Sequence, residues 1–175
     1  MKKMICIVAC TMLLFVAACA KSATAPEQTD NATGLENPMK EYPTAEEMNE
    51  AIGVYLLPPE GAEETVFFAI ADDLADIRFV LDGKNYCLRA AAGSGEDISG
   101  IYETFEKDAI STCVDGTAYS ACFDMKFIVD GGALIAWEME NVSYSLYAPD
   151  ETGRGDDCAA MKTAMAVMET MFAGK

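Results

Sequence analysis

The sequence predicts an α+β fold: an antiparallel, meandering β-sheet with a short N-terminal helix and a longer C-terminal helix packed on one of its faces. Three observations predict it. Three candidate hairpins each gather their apolar side chains on a common face, a capping pattern opens a short helix ahead of the first strand, and the last residues carry an apolar stripe at helical spacing. Amphipathic helices and a one-faced sheet bury their apolar sides most simply against each other.

The folded part is expected to begin at Pro43, where Thr44 as N-cap and Glu47 three residues on form a capping box. Gly53 ends that helix in the manner of a left-handed cap. Pro58, Pro59 and Gly61 then break the chain before Thr65 to Ala71, a β-branched and aromatic run that reads as a strand. Three hairpins follow, and each can be tested, because residues paired across a two-residue turn share a face. With Asp82-Gly83 as the turn, Ile77, Phe79 and Leu81 fall with Tyr86 and Leu88. With Asp115-Gly116, Ile110 and Val114 fall with Tyr119, Ala121 and Phe123. With Glu140-Asn141, Ile135, Trp137 and Met139 fall with Val142, Tyr144 and Leu146, and Trp137 sits opposite Tyr144 as a cross-strand aromatic pair. The end of the chain, Asp157 to Phe172, is helical by pattern: Cys158, Met161, Met165, Met168 and Phe172 recur at three- and four-residue steps, and Asp156 or Asp157 can cap it.

The beginning of the chain reads differently. Lys2 and Lys3 precede an uncharged apolar run from Met4 to Val16, and small residues and a cysteine follow, Ala17-Ala18-Cys19. That is the order of an export signal, and its thirteen apolar residues are fewer than the roughly 20 a membrane-spanning helix needs. Val16-Ala17-Ala18-Cys19 resembles a bacterial lipobox, in which cleavage before the cysteine leaves a thiol that carries two acyl chains, enough for stable anchoring. Residues 1–18 are thus expected to be a lipoprotein signal peptide, residues 19–42 the lipidated Cys19 and a flexible tether, and residues 43–175 a single α+β domain. The tether is rich in Thr, Ala, Asn, Glu and Pro and poor in large aliphatics, so it cannot bury enough apolar surface to offset ordering. As a coil it would span roughly 25 Å.

Formal charge is −17, and removal of Lys2 and Lys3 with the acid-free signal takes it to −19. Such a surface repels phosphate backbones, so nucleic acid is excluded as a partner. The partners expected are the membrane, through the lipid anchor on the outer face of the cell membrane, and an envelope protein or ligand that the sequence does not specify; the domain itself is expected to be a monomer.

Histidine is absent, which excludes triads with a histidine base and histidine-ligated metals. No glycine-rich phosphate loop follows a strand, and no catalytic residue, metal site or cofactor is expected. The acidic groups Asp72-Asp73 with Asp76, Glu96-Asp97, Asp150-Glu151 and Asp156-Asp157 lack the spacing of a calcium loop and read as turns and solvated faces. The methionines of the last helix read as core filler rather than a copper array, and Arg154-Gly155-Asp156 as a chance match to an adhesion tripeptide in a turn.

Four cysteines remain beyond Cys19: Cys87, Cys113, Cys122 and Cys158. Outside the cytoplasm an even number suggests disulfides, with free thiols and a Cys₄ metal site as rivals. The Asp115-Gly116 turn places Cys113 opposite Ala118, leaving Cys122 on the order of 13 Å further along its strand and beyond disulfide reach. Cys87, Cys113 and Cys122 are all expected on the second face of the sheet. One disulfide at most is therefore predicted, pairing Cys87 with Cys113 or Cys122, with Cys158 a buried thiol.

The stretches Glu60-Gly61-Ala62, Phe79 to Tyr86, Asp97 to Tyr102, and Trp137 with Tyr144-Ser145-Leu146 together resemble a family of extracytoplasmic domains of unknown function, found in lipoproteins of anaerobic Gram-positive gut bacteria. The resemblance covers about residues 43 to 148. It implies a cell-envelope α+β domain and assigns no catalytic or binding residue; the four domain cysteines are not part of the family's pattern. Two classes of function remain: a non-enzymatic binding, sensing or envelope module, which the lack of a convergent polar constellation favours, or an extracytoplasmic hydrolase using paired carboxylates.

Overall fold

The computed structural model describes residues 39–93, 95–115 and 119–172. Among these described residues, eight strands form one antiparallel sheet: β1 (Met39–Tyr42), β2 (Glu63–Ile70), β3 (Leu74–Leu81), β4 (Lys84–Ala92), β5 (Ile110–Asp115), β6 (Ser120–Phe127), β7 (Ala133–Met139) and β8 (Val142–Ala148). Helix α1 (Ala45–Ile52) follows β1, and the longer α2 (Ala159–Phe172) follows β8. The α+β class of the sequence reading is observed. Strand order is β1-β2-β3-β4-β8-β7-β6-β5, so two four-stranded meanders meet along a seam between β4 and β8.

Two of the expected turns occur as read. Leu81 pairs with Lys84 around Asp82-Gly83, and Met139 with Val142 around Glu140-Asn141. All four turn residues have φ between 51° and 73°, the left-handed pairs that match strand twist in two-residue hairpins. The third hairpin differs. Asp115 pairs with Ser120 and Cys113 with Cys122, so four positions rather than two separate the paired ends. The apolar faces remain as predicted, because moving each partner by an even number of residues leaves the two-residue alternation unchanged.

The core cluster joins Ile77, Phe79, Leu88, Phe123, Met125, Ile135 and Leu146 of the sheet with Met48 of α1 and Met161, Val167 and Met168 of α2. Trp137 is buried, as its register implied, and its ring stacks on Tyr144 at 5.3 Å and 5°. The Phe123 ring lies tilted against that of Trp137, at 5.5 Å. Helix α1 opens as the capping box requires, with Thr44 accepting from the backbone N–H of Glu47 at 3.2 Å, and closes on Gly53 at φ 78°.

Several elements depart from the sequence reading. Residues 39–42, expected to belong to the tether, are the edge strand β1, paired with β2 from Met39 opposite Ile70 to Tyr42 opposite Phe67. Backbone pairing holds a four-residue edge strand without the apolar alternation on which strand recognition rests. Strand β2 begins at Glu63, with a register shift between Glu63 and Val66. Helix α2 begins at Ala159, and its first turn is capped neither by Asp156 nor by Asp157. Instead Glu151 accepts from the backbone N–H of Ala160 at 2.7 Å, and Cys158 Sγ accepts from Met161 N–H at 3.4 Å.

Candidate functional site

The face of the sheet opposite the core cluster carries the polar residues, and its centre lies on β3 and β4. Register puts Asp76 opposite Arg89 and Arg78 opposite Cys87. Asp76 is fully buried; its Oδ1 accepts from Arg78 Nε at 3.0 Å, and its Oδ2 accepts from Arg89 Nε at 2.8 Å and from the Cys87 thiol at 3.4 Å. A buried carboxylate persists only when paired and hydrogen-bonded, and here two guanidinium groups and a thiol meet that condition. Burial would lower the Arg89 pKa, but the hydrogen bond and charge of Asp76 reverse this and hold it above the ordinary value. For Cys87, burial and then the Asp76 carboxylate push the thiol up to about 11.

Arg89 does more than pair with Asp76. Its Nη1 donates to the carbonyls of Ser99 and Ile98, in the connection from β4 to β5 that crosses this face. Asp97 accepts from both the backbone N–H and the hydroxyl of Ser99, at 2.9 and 2.6 Å, which holds its carboxyl below the ordinary value. Gly100 follows at φ 62°, and a Cβ there would lie 2.4 Å from Arg89 Nη1. Glycine is therefore demanded twice at this position, by backbone conformation and by the close approach of the guanidinium. Further along, Glu106 N–H donates to the Phe127 carbonyl at 2.7 Å and Val129 N–H to the Thr104 carbonyl at 3.0 Å, fastening the connection to the sheet.

Two of the clefts that border this crossing segment touch Arg89. One, of about 470 Å³, is lined by Asp73, Arg89, Glu96, Asp97, Tyr102 and Ser143. Tyr102 stands at its rim with 98 % of its surface exposed. The other, of about 380 Å³, is lined by Arg78, Cys87, Arg89, Ile101 and Tyr147 among others, and is more apolar. The arrangement can hold a small ligand or a peptide side chain against a preformed polar floor.

Asp76 and Glu151 correct the reading of the acidic clusters as solvated. Glu151 is only 2 % exposed; burial raises its carboxyl, but the backbone N–H groups of Ala160 and Gly153 with Lys84 outweigh this and the net shift is downward. Asp72 and Asp73 are exposed in the β2–β3 turn, as expected.

The cysteine pairing is also corrected. Cys113 and Cys122 are bonded to each other, with Cα atoms 4.0 Å apart, and Cys87 is a free thiol. The two-residue turn assumed for this hairpin had displaced them from each other; the longer connection brings them face to face. Cys87, Cys113 and Cys122 do share the second face, and Cys158 is a buried free thiol. Cys19 lies outside the described residues. Among the described residues, no group of three or more acids and cysteines could hold a metal ion, and no helix is long and apolar enough to cross a membrane.

Comparison with known proteins returns nothing. No family model, no curated protein and no solved structure matches the chain.

Proposed function

We propose that the chain is a lipid-anchored domain on the outer face of the cell membrane, with both helices covering one face of the sheet and the other face serving a non-enzymatic binding or sensing role. The observation that carries the anchoring is the order Lys2-Lys3, uncharged apolar run, Ala17-Ala18-Cys19. The resemblance to extracytoplasmic domains of anaerobic gut bacteria points the same way, and implies an envelope protein or ligand as partner. The binding role draws support from how the polar groups of the second face are used. Arg89 and Asp97 are spent on holding the segment that shapes the clefts, which is a recognition surface's use of charge rather than a reaction's.

A second reading has one observation in its favour: Asp73, Glu96 and Asp97 line the same cleft, as a hydrolase using paired carboxylates would need. Glu96→Gln would abolish such an activity and leave a binding role largely intact.

The anchoring is tested by labelled palmitate in a bacterial host. Wild type should take up label, and Cys19→Ala should take up none and appear in the medium or stall unprocessed. Equal labelling of both would end the lipoprotein reading.

A further inference from the structure

We propose that the Cys113–Cys122 bond is a reducible clasp, opened by a thiol reductant from the exposed side of the sheet, and that its opening frees the edge strand β5 from β6. The two cysteines are register partners, both exposed on the second face. Among the described residues, strand β5 has one neighbour only, β6. Its inward residues Ile110, Thr112 and Val114 are half-buried, whereas Ala121, Phe123 and Met125 facing the same way on β6 are buried. Ile110 and Val114 pack against the core only half-buried, so backbone pairing and one covalent bond carry much of the attachment of β5. A strand with few buried contacts and an exposed ladder belongs to the low-stability end of local opening.

The chemistry balances with a dithiol as co-reactant. Its thiolate attacks one sulfur of the exposed bond, forming a mixed disulfide and releasing the other cysteine as thiolate. The second thiol of the reductant displaces the protein sulfur and closes its own disulfide. Two electrons pass from the reductant to the protein, and the two protons of the dithiol end on Cys113 and Cys122. The charged groups around the bond select among reductants. Asp115 and Asp124 each lie two residues from a cysteine on the same face, and the pairing of Phe123 with Trp137 brings Glu138 beside Cys122. Lys126 is the cation on this face of β6, four residues beyond Cys122. This acidic collar on a chain of charge −17 disfavours thiols of net negative charge and favours those whose ammonium group is not offset by carboxylates.

The test uses the unreduced full-length chain in detergent, with alkylation and mass mapping to follow the bond and hydrogen exchange to follow the strand. Millimolar dithiothreitol should open the bond while Trp137 fluorescence stays native, and amides of 110–115 should exchange at least about tenfold faster, with β7 and β8 unchanged. The double variant Cys113→Ser/Cys122→Ser should show the same fast exchange without reductant; where it fails to fold, the reduced wild type carries the measurement. Monothiols make the same first attack, a second molecule then releasing the protein sulfur as the symmetrical disulfide. In forming the mixed disulfide cysteamine should outpace glutathione, relative to their rates on a neutral disulfide, with the gap closing at about 0.5 M salt. A bond that yields only on global unfolding, an unreduced protein that lacks it, unchanged exchange in 110–115, or reductants that show no charge preference would each overturn the corresponding part of the proposal.

Discussion

At the scale of single residues, the central cluster of the second face was already implied by the first hairpin. A turn at Asp82-Gly83 pairs Asp76 with Arg89 and Arg78 with Cys87, and this is the observed register. Burial was the part not legible, because it depends on the segment from residue 95 to 101 folding back over Arg89, a contact that no periodicity encodes. Trp137 and Tyr144, by contrast, were placed correctly by alternation alone. The raised thiol of Cys87 gives a prediction with a definite sign. Its neutral form is favoured in the folded state, so the associated stability is present below pH 9 and is lost as pH rises from the ordinary value of 9.0 through about 11. Iodoacetamide at pH 8 should therefore modify Cys87 about a hundredfold more slowly than an unperturbed thiol, and the rate should climb toward pH 11. Full modification of Cys87 at the speed of a free thiol, measured by mass spectrometry, would contradict the environment described for it.

At the scale of elements, alternation located strands and faces but not lengths of connection. The β5–β6 hairpin shows why: the expected two-residue turn and the observed four-residue connection satisfy the same face test, and they differ only in which residue stands opposite Cys113, Ala118 in the expected register and Cys122 in the observed one. The cap of α2 was hidden for a different reason. Glu151 is nine residues before Ala160, yet its two oxygens accept from Ala160 N–H and Gly153 N–H, each at 2.7 Å, and a Cβ at Gly153 would come within 2.9 Å of the carboxylate. Short-range capping rules point to Asp156 and Asp157, which are nearer in sequence and remain solvated. Because Glu151 has a lowered pKa, its contribution is present above the ordinary carboxyl value of 4.5 and is lost as pH falls through the lower folded value. Glu151→Gln should lose on the order of 1–2 kcal/mol near neutral pH and flatten the acid limb of stability below pH 4.5, as read by urea denaturation at a series of pH values. An acid limb identical to wild type would show that the cap does not titrate as described.

At the scale of the whole molecule, the helix-and-sheet class was legible because both periods, two and about four, are strong in this sequence. Strand order was not, since face parity says nothing about which meander lies beside which. The observed order has one non-sequential join. Strands β1 to β4 neighbour one another in chain order, as do β5 to β8, and the halves meet only where β4 pairs with β8, from Ala92 with Val142 to Cys87 with Tyr147, residues 50 to 60 positions apart.

That seam has a kinetic consequence. Each half can zip from local turns, whereas joining them closes a long loop before any contact rewards it, so seam closure should set the folding rate. Leu88 and Leu146, paired across the join and fully buried, should then belong to the transition state. Leu146→Ala is expected to slow refolding in stopped-flow experiments, with most of its destabilisation on that limb. Val114→Ala on the outer strand should instead speed unfolding. The reverse partition would mean that the seam closes only after the transition state and that a local hairpin, rather than the union of the two halves, is the slow event in reaching the native state.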